Sequence, residues 1–290
     1  MGMEKGFEKG NINWFPGHMA KTRRQIKESL KLVDAVVEII DSRIPVSSRN
    51  PEIDALVSKK PRIILLNKCD VSDEKLTKQW ISYFEGQNMT ALAVDCRSGR
   101  GLSSFLPTVR QVLAEKIRIN IEKGMKGKPL RLMIVGIPNT GKSSFINRMA
   151  KKNRAQVADR PGVTRQNQWF AIGDGIELLD TPGVLWPKFE DPEVGRNLAY
   201  TGAIKDEIMD IETLAYNLLE VLVKDHTDKL AKRYEIADIS DKSPLDIMDE
   251  IGKKRGMLLR GGEINYERVS VMLLDEFRAG TIGKITLEKP

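Results

Sequence analysis

From about residue 33 the chain alternates short apolar runs with segments whose apolar residues recur at helical spacing: AVVEII, SSRNPEIDALVSK, RIILL, DEKLTKQWISYF, TALAV and LSSFLPTVRQVLAEKI. Runs too short to be buried helices, separated by helices, predict a mostly parallel sheet with helices on both faces. The stretch EKGMKGKP (122–129) is charged, glycine-rich and ends in proline, which predicts a linker. After it come a strand LRLMIV, a helix SFINRMAKK and two further strands, QWFAI and IELLD. Beyond about residue 205 the strand pattern stops, and Leu214, Leu218, Leu219 and Leu222 recur at helical spacing. In YERVSVMLLDEFRAG the residues Val269, Met272, Leu273 and Phe277 share one stripe, and Gly280 ends the helix. The pattern predicts an α/β domain over 1–204, with an N-terminal extension, followed by an all-α domain over 205–290.

Composition adds little to this division. With 290 residues, 41% hydrophobic and 30% charged, the chain can build globular cores. No apolar run approaches the roughly 18 to 20 residues of a membrane span, and the start MGMEKGFEKG lacks the apolar core of a signal peptide, so a cytoplasmic protein is expected. The two cysteines, Cys69 and Cys96, read as free thiols of a reducing compartment. Charge changes the picture more. The formal net charge is +7, yet residues 205–290 carry 14 Lys and Arg against 18 Asp and Glu. A polyanion bound by the tail must therefore meet a local basic face.

The candidate chemistry lies in loops that follow the predicted strands. GIPNTGKS (136–143) fits the phosphate-loop pattern between a strand and a helix. There Asn139, Thr140, Gly141, Lys142, Ser143 and Ser144 surround the phosphates, Lys142 reaches the β and γ groups, and the Ser143 hydroxyl ligates Mg²⁺. In IELLDTPG, Asp180 is placed to hold Mg²⁺ through water and the Gly183 N–H to sense the γ-phosphate. Thr164, in RPGVT, supplies a second hydroxyl to the metal. NKCD (67–70) caps an earlier strand: Asp70 accepts from the N1–H and amine of guanine, Asn67 braces the loop and the Lys68 stem covers the ring. DCRSGRGL then supplies a second base-contact loop, with Asp95 and Cys96 where Ser and Ala are more usual, and Cys69 and Cys96 are expected to be neighbours that nucleotide shields from alkylation. All five elements are present, but the base loops precede the phosphate loop. One circular permutation restores the usual order, with the linker at 122–129 joining the old ends.

These stretches, with NWFPGHMAK, IIDSRIPVSSRNP, DTPGVLWPK and the terminal EFRAGTIGKITLE, resemble the circularly permuted GTPases, specifically the ribosome biogenesis GTPase A (RbgA/YlqF) family. The resemblance extends over essentially the whole chain. It implies a circularly permuted P-loop GTPase domain followed by an all-α, RNA-contacting domain, GTP and GDP as ligands, and the large ribosomal subunit or its precursor as partner. The position after Asp-x-x-Gly that holds a water-orienting Gln in Ras-like enzymes is Val184 here, so hydrolysis by the chain alone is expected to be slow. His18, in WFPGHMAK, is the candidate that positions water; the competing reading is a loop histidine that packs or contacts RNA. Asn139 resembles the asparagine of potassium-activated GTPases, which helps hold K⁺ against the phosphates; the plainer reading is a turn-stabilising Asn. A basic run of Lys21, Arg23, Arg24, Lys27 and Lys31 is either an RNA contact or a solvated helix face. In the tail, Lys253, Lys254, Arg255, Arg260, Arg268, Arg278 and Lys284 supply the expected basic face. Two other classes stay open: a non-catalytic GTP sensor whose tail binds a protein, and an ATPase or kinase, which NKCD opposes.

Overall fold

The computed structural model describes residues 24–57, 60–152, 168–181 and 191–290, which form two compact units. In the first, strands β1 (Ala35–Asp41), β2 (Arg62–Asn67), β3 (Thr90–Ala93), β4 (Leu130–Val135), β5 (Trp169–Ala171) and β6 (Ile176–Asp180) form one sheet in the order β3-β2-β1-β4-β6-β5. All pairs are parallel except β5 with β6. The chain lays down β1 to β3 outward, then returns to the other side of β1 for β4. Neighbouring loops at the carboxyl ends of such strands diverge and leave a crevice, the usual ligand position in an open parallel sheet.

Alternation along the strands sorts side chains to two faces. Val37, Ile39, Ile63, Leu65, Leu132 and Ile134 pack against Phe105 and Val109 of α4 (Phe105–Val112) and against Phe145, Ile146 and Met149 of α6 (Lys142–Lys152). On the other face, Val36, Met133 and Val135 meet Ile26 and Leu30 of α1 (24–30) and Ile53 and Val57 of α2 (Pro51–Val57). Ile40, Ile64 and Leu66 meet Trp80 and Phe84 of α3 (Glu74–Gly86), whose start is capped by Asp73. Burying each of these large side chains contributes about 1.5–3 kcal/mol. One contact positions the site directly. Phe105, just after the second base-contact loop, and Phe145, just after the phosphate loop, stack edge to face at 5.0 Å, which ties the two loops' following helices together.

The segment expected to be one helix after β3 is a 3₁₀ turn (Leu102–Ser104) followed by α4 and α5 (Ala114–Glu122), which break at Leu113. The linker after α5 is exposed over 121–128, with Gly124 and Gly127 in open space. Glu38 is a polar residue in the middle of buried β1, which ends in a second one, Asp41. The Glu38 carboxylate, 1% exposed, is met by Arg49 and Arg62 at 3.3–3.4 Å.

The second unit is helical: α7 (Pro192–Tyr200), α8 (Ile211–Asp225), α9 (Thr227–Tyr234), α10 (Pro244–Lys254) and α11 (Tyr266–Ala279). Leu214, Leu218, Leu219 and Leu222 are fully buried with Val269, Leu273 and Phe277, as the helical spacing requires. A Ser243–Asp246 capping box starts α10, and Gly280 ends α11 in the left-handed conformation (φ 73°). Of the described residues, 191–287 fall in the helical unit, so α7 belongs there although the pattern set the division at 204/205. The reason is packing: Leu198, Ala199 and Tyr200 of α7 are at most 1% exposed, and Ala199 and Tyr200 belong to the helical core. Glu288–Pro290 instead belong to the first unit, where the Glu288 carboxylate accepts from the N–H of Val46 and Ser47 and its carbonyl accepts from Trp80 Nε1 at 3.1 Å.

Candidate nucleotide site

The candidate loops converge at the carboxyl ends of β3, β2, β4 and β6, two strands on either side of β1. NKCD follows β2, DCRSGRGL follows β3, the phosphate loop follows β4 and Asp180 ends β6. Asn67 joins three of these pieces. Its Nδ2 donates to the Thr140 carbonyl of the phosphate loop at 2.6 Å, and its Oδ1 accepts from the Cys96 N–H at 2.9 Å. The side chain is 3% exposed, so neither bond is exchanged for water at little cost. Gly141 shows how closely the pieces meet: with φ +100°, a Cβ there would lie 2.1 Å from Asn67 Nδ2. Only glycine leaves room for the base loop to dock.

Asp95 closes its own loop. Its carboxylate accepts from the N–H groups of Arg97 (2.8 Å) and Ser98 (3.1 Å); burial pushes it up, but the Ser98 hydroxyl and then these two N–H groups hold it below the usual carboxylate range. The substitution of Asp for the usual Ser is thus a local turn device. The Cys96 N–H is engaged by Asn67, so a base can take it only by sharing that bond. Arg148 of α6 donates to the Ser98 carbonyl, fixing the loop from the phosphate side.

The two cysteines interact electrostatically, as neighbours do, but their environments differ. Cys69 is half-buried. Cys96 is 2% exposed within the core, and burial pushes its thiol up to about 12. The expected shielding of both thiols by nucleotide is therefore corrected for Cys96, which the fold already protects.

At the phosphate end, burial pushes the Lys142 ammonium below its ordinary range, with Asp180 opposing. Burial pushes the Asp180 carboxyl up, against Lys142 and the Thr181 N–H. Asp180 Oδ1 is buried without a hydrogen-bond partner among the described residues. A buried carboxylate oxygen left unpaired beside a half-buried lysine fits a hydrated cation and its phosphate ligands. Ser143 and Ser144 are exposed at the start of α6, and Asn139 is exposed with φ 61°. Among the described residues no cluster of three or more His, Cys, Asp or Glu could hold a metal by itself. His18, Thr164 and Gly183 lie outside the described residues, as do Val184, Lys21 and Arg23.

The expected basic face of the tail is only partly available. Lys253, Arg255, Arg260, Arg268 and Lys284 are exposed. Arg278 is committed inside the helical unit: its guanidinium donates to both Asp206 oxygens at 2.7 Å and to the carbonyls of Ala199 (2.9 Å) and Tyr200 (3.1 Å). Lys254 donates to the carbonyls of Tyr234 and Glu235, ending α9. In the basic run near the start, Arg24 pairs with Glu28 on the outer face of α1, while Ile26, Ser29 and Leu30 turn inward. Sequence reasoning missed Asp41 and Arg43, which stand beneath the base loop. The available signals were a carboxylate ending a buried apolar strand and the place of both residues in the stretch IIDSRIPVSSRNP.

Comparison with known proteins gives the same picture. Residues 131–249 match a family model described as 50S ribosome-binding GTPase. That match begins at β4, and the base loops lie upstream of it, as a permuted order requires. Ribosome biogenesis GTPase A of Bacillus licheniformis is 49% identical over 96% of this chain and 98% of its own length; that of Bacillus cereus is 47% identical over 96% and 94%. A GNP-bound crystal structure of YlqF from T. maritima is similar in fold, with a TM-score of 0.63 and 28% identity over 93% of this chain and 98% of that one. A GDP-bound structure of TM YlqF gives a TM-score of 0.66 at 28% identity, over 92% and 99%.

Proposed function

This chain belongs to the ribosome biogenesis GTPase A family, and on that premise we propose that it serves late assembly of the large ribosomal subunit, binding rRNA or pre-ribosomal particles with GTP and leaving after hydrolysis. GTP binding, GTP hydrolysis and a part in ribosome biogenesis follow from the membership itself. The observation that supports the site assignment most is Asn67, whose two hydrogen bonds bind the base loop to the phosphate loop and to the second base-contact loop. Such bonding makes base recognition and phosphate binding parts of one rigid site.

In this reading the Asp70 carboxylate accepts the paired donors of guanine, which adenine lacks. The N–H groups of the phosphate loop and Lys142 receive the phosphates. Ser143, Asp180 and Thr164 hold Mg²⁺, on which GTPases of this kind depend, and the orphaned Asp180 oxygen is the group that fits it. Held there, Mg²⁺ would supply charge neutralisation for the transferred phosphoryl group. Gly183 senses the γ-phosphate, and Asn139 holds K⁺. With Val184 unable to orient water, His18 takes that part, and turnover rises when the ribosomal particle completes the site. The exposed Lys253, Arg255, Arg260, Arg268 and Lys284 contact rRNA phosphates, which makes binding strongly salt-dependent. Among the described residues no helix is long and apolar enough to cross a membrane, and the proposed place of action is the cytoplasm.

The test is GTP turnover in K⁺ and in Na⁺ buffer, with and without purified large ribosomal subunits, and with ATP as control. Stimulation confined to GTP and K⁺, and lost in His18→Ala with GTP affinity intact, is the expected result. Equal rates in both salts refute the Asn139 assignment, and unchanged stimulated turnover in His18→Ala refutes that of His18.

A further inference from the structure

Lys68 stands between the two residues that read and brace the base, and its backbone is left-handed (φ 62°), a conformation that strains a non-glycine residue. Something must hold it there. The Lys68 carbonyl accepts from the Val71 N–H at 3.1 Å, and the Ser42 N–H, just past β1, donates to the Asn67 carbonyl at 2.8 Å. Asp41 is the last residue of β1 and lies opposite Asn67 in the parallel register. Its carboxylate, 3% exposed, meets the Lys68 ammonium at 2.9 Å. The same carboxylate accepts from the Arg43 backbone N–H (3.0 Å), Nε (2.9 Å) and Nη2 (2.7 Å).

We propose that Asp41, locked by Arg43, is a positioning residue for guanine recognition: it draws the Lys68 ammonium down beneath the loop, so that the lysine stem lies flat as one wall of the base slot. The inference rests on the assignment of Asn67–Asp70 as the base-reading loop. A lysine ammonium left free beside a nucleotide turns toward phosphate or solvent, and its stem then leaves the ring. Asp41 removes that choice. Arg43 makes the arrangement tolerable, because a buried carboxylate needs more than one half-exposed lysine to satisfy its lone pairs. Burial alone pushes the Asp41 carboxyl up, yet Arg43 and Lys68 together hold it well below the usual range, so it is a carboxylate at any working pH. The contact lies at the base end, away from the γ-phosphate. Its loss therefore weakens GDP and GTP equally and raises KM without changing kcat.

The experiment measures affinity for a fluorescent GDP, together with kcat and KM for GTP, in Asp41→Asn, Lys68→Met, the double variant and Lys68→Arg, with Asp70→Ala as a control on the base loop. If Asp41 acts through Lys68, each single change weakens binding about tenfold and the double variant is no worse than either, since coupled residues are not additive. Lys68→Arg keeps a cation for Asp41 and stays within about threefold of the parent. A double variant about a hundredfold weaker means independent effects and overturns the proposal, as does a loss carried in kcat or a Lys68→Arg protein indistinguishable from Lys68→Met. Should Asp41→Asn fail to fold, the Lys68 pair decides alone. Silent Asp41 and Lys68 variants beside an Asp70→Ala protein that has lost guanine selectivity overturn this inference only. An Asp70→Ala protein that keeps it removes the base-loop assignment itself.

Discussion

Arg278 separates an architectural role from an RNA-binding one. Arg278→Met keeps most of the stem and removes the charge. Two charge-assisted bonds to the carbonyls of Ala199 and Tyr200 are lost, each contributing about 1.5 kcal/mol or more. The pair with Asp206, whose side chain is 36% exposed, is discounted to about 1 kcal/mol. The helical unit should therefore lose about 4 kcal/mol, a large part of the stability of a typical domain. Native-state hydrogen exchange reads this locally: amides of α7, whose terminal carbonyls Arg278 holds, should exchange nearly a thousandfold faster, each 1.4 kcal/mol being a factor of ten. The same variant should leave the slope of log affinity for rRNA against log salt unchanged, while removing an exposed phosphate contact such as Arg255 or Arg260 should lower it by about 0.9 per residue. Unchanged exchange in α7 together with a reduced salt slope would refute the reasoning.

Alkylation should separate the cysteines: with iodoacetamide and mass spectrometry, Cys69 is expected to label in the free protein and slow with GDP, whereas Cys96 stays unlabelled in both states; rapid labelling of Cys96 would contradict its burial. The Glu276 carboxylate accepts from Arg233 Nε (2.8 Å) and Tyr234 OH (2.9 Å), and the Arg233 bonds hold it below its ordinary 4.5. The unfolded chain then takes up the proton first, so this stabilisation is complete above about pH 4.5 and is lost as pH falls through the lower folded value. Glu276→Gln should flatten that acid limb in urea melts followed by exchange at α9 and α11. Gly141→Ala forces a Cβ into Asn67 and should abolish GDP binding by calorimetry while the sheet core melts normally; retained binding would show that the loop docking is dispensable.

The order of elements, the strands and the loop motifs could be read directly, because alternation and spacing are properties of neighbouring residues. The leucines of α8 and Val269, Leu273 and Phe277 of α11 are buried as their spacing requires, while Met272 of the same stripe is only half-buried. The pattern of α7 is amphipathic and suits either core, and only the partners of Ala199 and Tyr200 decide that it packs with the helical one. Charge shows the same limit at Arg278 and Lys254: sequence counts a cation as available, and the fold can occupy it with carbonyls far along the chain. By itself, then, the sequence determined which chemistry this protein carries, since NKCD, GIPNTGKS and DTPG are local patterns whose atoms lie within a few residues. Tertiary structure alone decided how those pieces become one site. Asn67 meets Thr140 across 73 positions, and Asp41 meets Lys68 only because β1 and β2 end in register. Parallel strands bring distant residues to the same edge of a sheet, and no local pattern records which of them will touch.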